Sequence, residues 1–278
     1  MSVFGMMKSM LVGAGITGLA AAAITAAMAQ PAASIPDLSS GGIAWQTGNG
    51  GDYGQVPGSP APMRQDPAHP FVGNGQGKQP TYRIGDLANP NLKQWAKDVM
   101  KKDNDEVLAG KIAYTPASSC KPSGVPAIDL QGGPFYFVQT PKEVTILLEQ
   151  DHQVRHVYLD VPHSKAPKPS WYGESVGHYE NGYTLVIDTI GLSTQSFVDS
   201  YRTPHTDKLH VIERLKLTEQ GKTLEVRLTI EDPDTYNQPW QAMRSYRRTE
   251  GTLQEEACAE NNQHLFDYHI PVADRPDF

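Results

Sequence analysis

The strongest constraint in this sequence is an alternation of apolar and polar residues that begins near Phe135 and persists through most of the remaining chain. Successive side chains of a strand point to opposite faces, so a period of two predicts strands with one buried face. Three stretches alternate on both sides of a short turn: KEVTILLEQDHQVRHVYLD, ESVGHYENGYTLVIDTIGL and LHVIERLKLTEQGKTLEVRLTIEDP. They predict consecutive β-hairpins, and Asn181-Gly182 in the second favours a type I′ turn. PWQAMRSYRRTE predicts a further strand.

Consecutive hairpins with few helices predict a mainly β protein, an antiparallel meander that curls into a barrel or a sandwich, and we favour the barrel. A barrel of about eight strands has room for one small ligand. One helix is predicted over residues 89–110, with Asn89 as the N-cap, Pro90 in the first turn and Gly110 at the end. Residues 111–278 are then the barrel domain.

The N-terminal motif GAGITG places Gly13, Gly15 and Gly18 at the spacing of a dinucleotide-binding loop. The following residues contain no second strand that ends in a carboxylate, so the motif lacks its structural context. A short start with one lysine, an apolar run and the motif Ala-Met-Ala at 27–29 instead predict a signal peptide over residues 1–29. We therefore expect a periplasmic or secreted protein.

Residues 30–88 are rich in Gly, Pro, Asn and Ser and predict an extended arm. The formal net charge of −7 disfavours nucleic acid and anionic membrane surfaces as main partners. No second apolar run is long enough to span a bilayer, so we expect no stable membrane insertion after signal cleavage. Cys120 and Cys258 are the only cysteines. In an oxidising compartment they predict one disulfide, with two separately buried thiols as the alternative.

The third hairpin contains the residue most suggestive of function. Its first strand places Leu209, Val211, Leu215 and Leu217 on one face, and Glu213 is the lone charge among them. An inward carboxylate must be paired, protonated or part of a working site. Two interpretations stay open: an ion pair with an inward arginine, or a catalytic carboxylate.

Other polar residues in the strands and loops have the same two interpretations. Asp188 interrupts the apolar strand TLVIDTIGL, and His156, Tyr158 and Asp160 share a face that lines a cavity or meets water. The predicted catalytic residues are Glu213, Asp188, His156 and His205, and the predicted ligand-binding residues are His152, Arg155, Tyr158, Asp160, His210 and Arg214.

No cofactor and no metal site are predicted. A strand sends His210 and Glu213 to opposite faces, which argues against one metal ion shared by the two. Walker, H-E-x-x-H and EF-hand motifs are absent from the sequence. The stretch GESVG at 173–177 matches the pattern G-x-S-x-G, but it lies in a predicted hairpin strand rather than at a strand-to-helix turn, so we predict no nucleophile elbow.

Several motifs resemble a broad family of exported bacterial proteins of uncharacterised activity. The matching stretches include DHQVRHVYLD, GESVGHYENGYTLVIDTIGL and YRTPHTDKLHVIERL, and the resemblance spans residues 89–270. It implies no activity. A more distant likeness is to lipocalin-like barrels, in which a Gly-x-Trp motif closes one end. Gly42 and Trp45 in GGIAWQ depart from that spacing, so this likeness implies only a lipocalin-like barrel.

Three classes of function follow from these features. The first is an exported barrel that binds a small, partly apolar molecule. The second is an acid/base enzyme, an isomerase, lyase or hydrolase, that uses an inward carboxylate with a histidine. The third is a structural envelope protein whose inward charges are simply paired. The enzyme requires a carboxylate and a histidine within hydrogen-bond reach of one cavity, whereas a carrier requires only the cavity.

Overall fold

Ten strands form one sheet, and nine of them close into a barrel. This computed structural model describes residues 35–39, 44–47, 51–71, 83–111, 113–250, 253–256 and 258. These residues belong to the compact unit 33–278. The predicted signal peptide lies outside the described residues. The fold confirms the prediction of a mainly β barrel with one helix.

The strands and the helix have these bounds: β1 (Ala44–Thr47), β2 (Gly54–Gln55), α1 (Gln94–Leu108), β3 (Phe135–Gln139), β4 (Glu143–Leu148), β5 (Gln153–Leu159), β6 (Glu174–Glu180), β7 (Thr184–Ile190), β8 (His210–Thr218), β9 (Thr223–Glu231) and β10 (Trp240–Thr249). The predicted arm thus contributes β1 and β2. Short 3₁₀ turns lie at Pro116–Ser119, Ala127–Leu130, Gln150–His152 and Glu219–Gly221.

Strands β3 to β10 are neighbours in chain order, and β1 closes the barrel by pairing with both β3 and β10. Ala44 pairs with Thr249, and Trp45 pairs with Phe135. Strand β2 pairs with another part of β10. One pair departs from the predicted antiparallel meander, because β5 and β6 are parallel. A parallel neighbour requires the chain to run back along the sheet, and residues 160–173, the β5–β6 connection, make that return.

All three predicted hairpins are present. Asn181 and Gly182 both have positive φ, at 53° and 73°, as a type I′ turn between β6 and β7 requires. Helix α1 lies within the predicted range, but the predicted N-cap is wrong, because the cap is Lys93. The Asn89 side chain instead accepts a hydrogen bond from the backbone of Asn91, which stabilises a turn before the helix.

The inward side chains of the strands form one apolar core. Trp45 is fully buried, its indole N–H donates to the Leu38 carbonyl at 2.8 Å, and the Arg248 guanidinium lies 4.9 Å from its ring centre. Residues 126–130, here called the plug, pack against this core. Hydrogen bonds from Tyr53 to the Pro126 carbonyl and from Tyr246 to the Asp129 carbonyl hold the plug in place.

The predicted disulfide is present between Cys120 and Cys258, with a Cα–Cα distance of 5.6 Å. It ties the residues that follow β10 to the segment before the plug. Residues 253–256 also contact the turn between β4 and β5, where Glu149 and His152 accept hydrogen bonds from their backbone. In the described part of the chain, no helix has the length and apolar character needed to cross a membrane.

Removing this disulfide should destabilise the barrel. The bond closes a loop with a sequence separation of 138 residues, and the chain-entropy model assigns such a loop about 5 kcal/mol at most. We expect C120S/C258S to lower the free energy of unfolding by about 3–5 kcal/mol in guanidinium denaturation. A double variant as stable as the oxidised wild type would contradict this expectation.

Candidate functional site

The centre of the barrel holds a buried ion pair between Arg155 on β5 and Glu213 on β8, with 1% and 2% of their side chains exposed. The guanidinium binds both carboxylate oxygens, with 2.9 Å between Nη1 and Oε1. Its remaining donors reach Ser175 Oγ on β6 and Thr189 Oγ1 on β7. The structure therefore shows Glu213 inward and paired with an inward arginine.

A small pocket lies between this ion pair and the plug. Its volume is about 30 Å³. Twelve described residues line it, Ile128, Asp129, Gln131, Phe135, Phe137, Ile146, Leu148, Arg155, Glu213, Leu215, Val226 and Tyr246, and none of them is a histidine. Most are apolar, and Gln131 and Phe135 are partly exposed. A pocket of this volume admits a molecule of water size, and a larger ligand requires these two side chains to move.

Asp129 of the plug has one unpaired oxygen in this setting. The Tyr246 hydroxyl lies 3.3 Å from Oδ1 and also donates to the Asp129 carbonyl. Oδ2 is buried and has no hydrogen-bond partner among the described residues. Burial, followed by the negative charge of Glu213, raises the Asp129 pKa to about 8, against the opposing charges of Arg155 and Arg244. Asp129 is therefore a neutral acid at pH 7, with an O–H group that can donate.

The outer wall of the barrel holds a second group of titratable residues. Asp188 points outward from β7, and its Oδ1 lies 2.8 Å from Nε2 of His210 on β8 and 2.9 Å from Nε2 of His163. His163 belongs to the β5–β6 connection. Its Nδ1 lies 3.0 Å from Glu174 of β6, and Nδ1 of His210 lies 3.3 Å from Glu231 of β9. We call these five residues the outer cluster.

The outer cluster shifts several pKa values in the direction that favours charge. The hydrogen bond that Asp188 accepts from His210, followed by the one from His163, outweighs the effect of partial burial and lowers the Asp188 pKa. Hydrogen bonds from Ser164 and His163 lower the Glu174 pKa. The Asp188 hydrogen bond raises the His210 pKa. The cluster therefore stabilises ionised carboxylates beside a protonated imidazole.

His205, predicted as catalytic, lies apart from both groups. It is 4% exposed, and its ring bridges the Thr206 carbonyl at 2.8 Å and Ser196 Oγ at 2.9 Å. Burial lowers the His205 pKa, so the ring is neutral at pH 7. Because Nδ1 donates to the Thr206 carbonyl, Nε2 can accept a hydrogen bond from Ser196 Oγ. These two hydrogen bonds connect the residues of the segment that precedes β8.

The remaining predicted site residues face outward and are not brought into one site. His156 contacts Glu143 and stacks near Tyr158, which is 48% exposed. Asp160 directly follows β5 and has a positive φ of 56°. His152 contacts the backbone of residues 254 and 256, and Arg214 lies 3.5 Å from Glu180.

Sequence reasoning missed Asp129, Tyr246 and His163. The alternation in WQAMRSYRRTE places Trp240, Ala242, Arg244 and Tyr246 on one face, so it contained a signal for an inward tyrosine. Asp129 and His163 lie outside the strands, where no periodicity indicates direction. His163 reaches Asp188 because β5 and β6 are parallel, and this pairing depends on the path of residues 160–173 between them.

Comparisons with known proteins found no matching family model, no matching curated protein and no matching solved structure. The closed barrel agrees with the likeness to lipocalin-like barrels in fold class. Among the residues that the structure describes, no group of three or more His, Cys, Asp or Glu is arranged to hold a metal ion.

Replacing Glu213 by glutamine leaves the Arg155 charge buried without its counter-ion. We expect Glu213→Gln to lower the free energy of unfolding by about 3–5 kcal/mol in chemical denaturation. The double variant R155M/E213L removes both charges and should recover most of that loss. Arg214→Met, which breaks the neighbouring outward pair, should cost less than about 1 kcal/mol. A stable Glu213→Gln protein would show that the pair does not hold the core.

The raised pKa of Asp129 predicts a pH dependence of stability. The folded state keeps a proton, up to about pH 8, that the unfolded chain releases above about pH 4. Stability should therefore fall as pH rises between these values, because the folded state holds one proton more than the unfolded chain. Asp129→Asn lacks this proton. Urea denaturation from about pH 5 to pH 7 should show a flatter pH profile for Asp129→Asn, and parallel profiles would contradict the prediction.

Proposed function

We propose that this protein binds a small, uncharged, partly apolar molecule in the pocket between the ion pair and the plug. The observation behind this proposal is Oδ2 of Asp129, a buried oxygen without a hydrogen-bond partner among the described residues, on a side chain that lines a mostly apolar pocket. A buried polar group without a partner costs free energy, and a ligand with a hydrogen-bond acceptor would remove that cost. An apolar pocket with few polar groups and a strongly shifted pKa is a typical small-molecule site.

The charges of the pocket favour an uncharged ligand. Arg155 and Glu213 neutralise each other, with both carboxylate oxygens bound by the guanidinium. Asp129 is neutral at pH 7 because its pKa is about 8. A charged ligand would lose its hydration without gaining a free counter-ion. The apolar lining, including Phe137, Leu215 and Val226, would contact the remainder of the molecule.

Two larger depressions, of about 340 and 540 Å³, support this function less well. The first has walls of proline and alanine, including Pro60, Pro62 and Pro90. Its two charged side chains already have partners in the protein: Arg64 donates to the Tyr53 carbonyl and Asp86 accepts from the Ala88 backbone. Such groups provide no unmet hydrogen bond for a ligand to satisfy.

The inward carboxylate and histidine of the enzyme hypothesis do not meet in this pocket, because its lining residues include no histidine. The protein is therefore proposed as a binding protein rather than as an enzyme of that type. We propose that the protein acts in the periplasm or outside the cell. The Cys120–Cys258 disulfide supports that location, as do the signal-like N-terminal sequence and the resemblance to exported proteins.

Native mass spectrometry of the full chain, purified from its natural compartment, tests this function. We expect a co-purifying small molecule in the wild type. Asp129→Asn keeps an N–H donor and should retain it, whereas Asp129→Leu should lose it. Val226→Ile adds a methylene group to the pocket wall and should reduce the bound fraction. Val138→Ile, at an outward position that is 48% exposed, is the matched control.

A bare wild-type mass, together with a Val226→Ile protein that is more stable than the wild type, would contradict the proposal. That result would show that the added methylene group fills an empty cavity and stabilises the fold, so the pocket would be a packing defect rather than a ligand site. It would favour the structural function, in which the inward charges only hold the barrel together.

A further inference from the structure

The outer cluster contains more hydrogen-bonding contacts than neutral histidines can make. Four ring nitrogens, two from His163 and two from His210, each lie 2.8–3.3 Å from a carboxylate oxygen. An ionised carboxylate only accepts, so each contact needs an N–H group. A neutral imidazole has one N–H and an imidazolium has two. All four contacts are hydrogen bonds only when both rings are protonated.

The charges of the cluster favour that state. Glu174 of β6, Asp188 of β7 and Glu231 of β9 surround the two rings, and all five side chains are between 22% and 40% exposed. With both histidines protonated, three negative charges face two positive ones. Loss of the two protons leaves three carboxylates close together with two N–H donors, and like charges at this distance repel.

We propose that the outer cluster is a two-proton binding site that fastens the β5–β6 connection to the barrel wall when protonated and loosens it when deprotonated. His163 is the member of the cluster that the connection supplies, and the other four belong to β6, β7, β8 and β9. The proposal is independent of the interior pocket, which none of these five residues lines.

Other contacts limit how far the connection can move. The Ser164 backbone N–H donates at 2.6 Å to Glu174 Oε1, the same oxygen that His163 Nδ1 contacts, so this bond reports on the residues around His163. Farther along, Ser170 N–H donates to the Gly191 carbonyl at 3.1 Å and its carbonyl accepts from Ser193. Deprotonation therefore loosens the residues around His163 and leaves those from Ser170 onward in place.

The direction of the pH effect follows from His210, whose pKa Asp188 raises above the usual value. A raised histidine pKa stabilises the folded contact fully below about pH 6.5 and loses that stabilisation as pH rises through the folded value. Partial exposure lets solvent protons reach the rings directly. An exported protein would thus have a connection whose mobility follows the pH of its surroundings.

Two NMR measurements on the full-length mature chain test the proposal. The first follows the His210 ring signal, which should titrate above the ordinary value in the wild type and shift downward in Asp188→Asn. The second follows hydrogen exchange of the Ser164 amide, corrected for intrinsic rate, from about pH 5.5 to pH 8.5. We expect its protection to fall at least about threefold as the histidines lose their protons.

His163→Gln cannot be protonated and should show the low protection of the alkaline state at every pH. His178→Gln is the matched control, because His178 also faces outward, 3.7 Å from Glu180, and contacts no member of the cluster among the described residues. It should behave as the wild type.

Three results would overturn the proposal: Ser164 protection that does not change with pH in the wild type, wild-type protection in His163→Gln, or loss of protection on adding EDTA. The last would show that a metal ion, rather than protons, holds the cluster. Because the wild-type titration needs no variant, the proposal stays testable even if His163→Gln fails to fold.

Discussion

The ion pair of Arg155 and Glu213 sets the conditions for the whole barrel interior. The guanidinium bonds to side chains on β6, β7 and β8 from its own position on β5, so one residue links four neighbouring strands, including the parallel pair. In a low-dielectric interior such a pair is costly to form and more costly to break. Its arrangement is also strict, because a bidentate contact requires β5 and β8 to hold a fixed separation.

The same residue types behave in opposite ways inside and outside the wall. Asp129 is desolvated beside an already paired carboxylate, so its pKa rises. Asp188 is half-buried between two imidazoles, so its pKa falls. The difference lies in the partners that the fold supplies rather than in the residues. One carboxyl group therefore donates a hydrogen bond at neutral pH, whereas the other only accepts.

The sequence predicts the strands well because alternation is local and strong. The three hairpins and β10 lie where the period of two places them, and the inward direction of Glu213 follows from its neighbours Val211 and Leu215. The pairing of Glu213 with Arg155 needs the order of strands across the barrel, which alternation does not contain. The prediction of Asn89 as the N-cap was wrong because its side chain instead accepts a hydrogen bond from the Asn91 backbone in a turn before the helix. His163 was missed because nothing in a proline-rich connection indicates what it will contact.

Barrel closure has a consequence for how this chain folds. The closing strand β1 lies early in the described part of the chain and pairs with β10, so Ala44 must find Thr249 across most of the sequence. Contacts this distant form slowly, because the loop-closure entropy is lost before the contact forms. Until β10 is available, β1 and β9 each have an unpaired edge that can join another chain. The time between synthesis and closure is thus the period when this barrel is most prone to aggregate, and a chaperone would be most useful then.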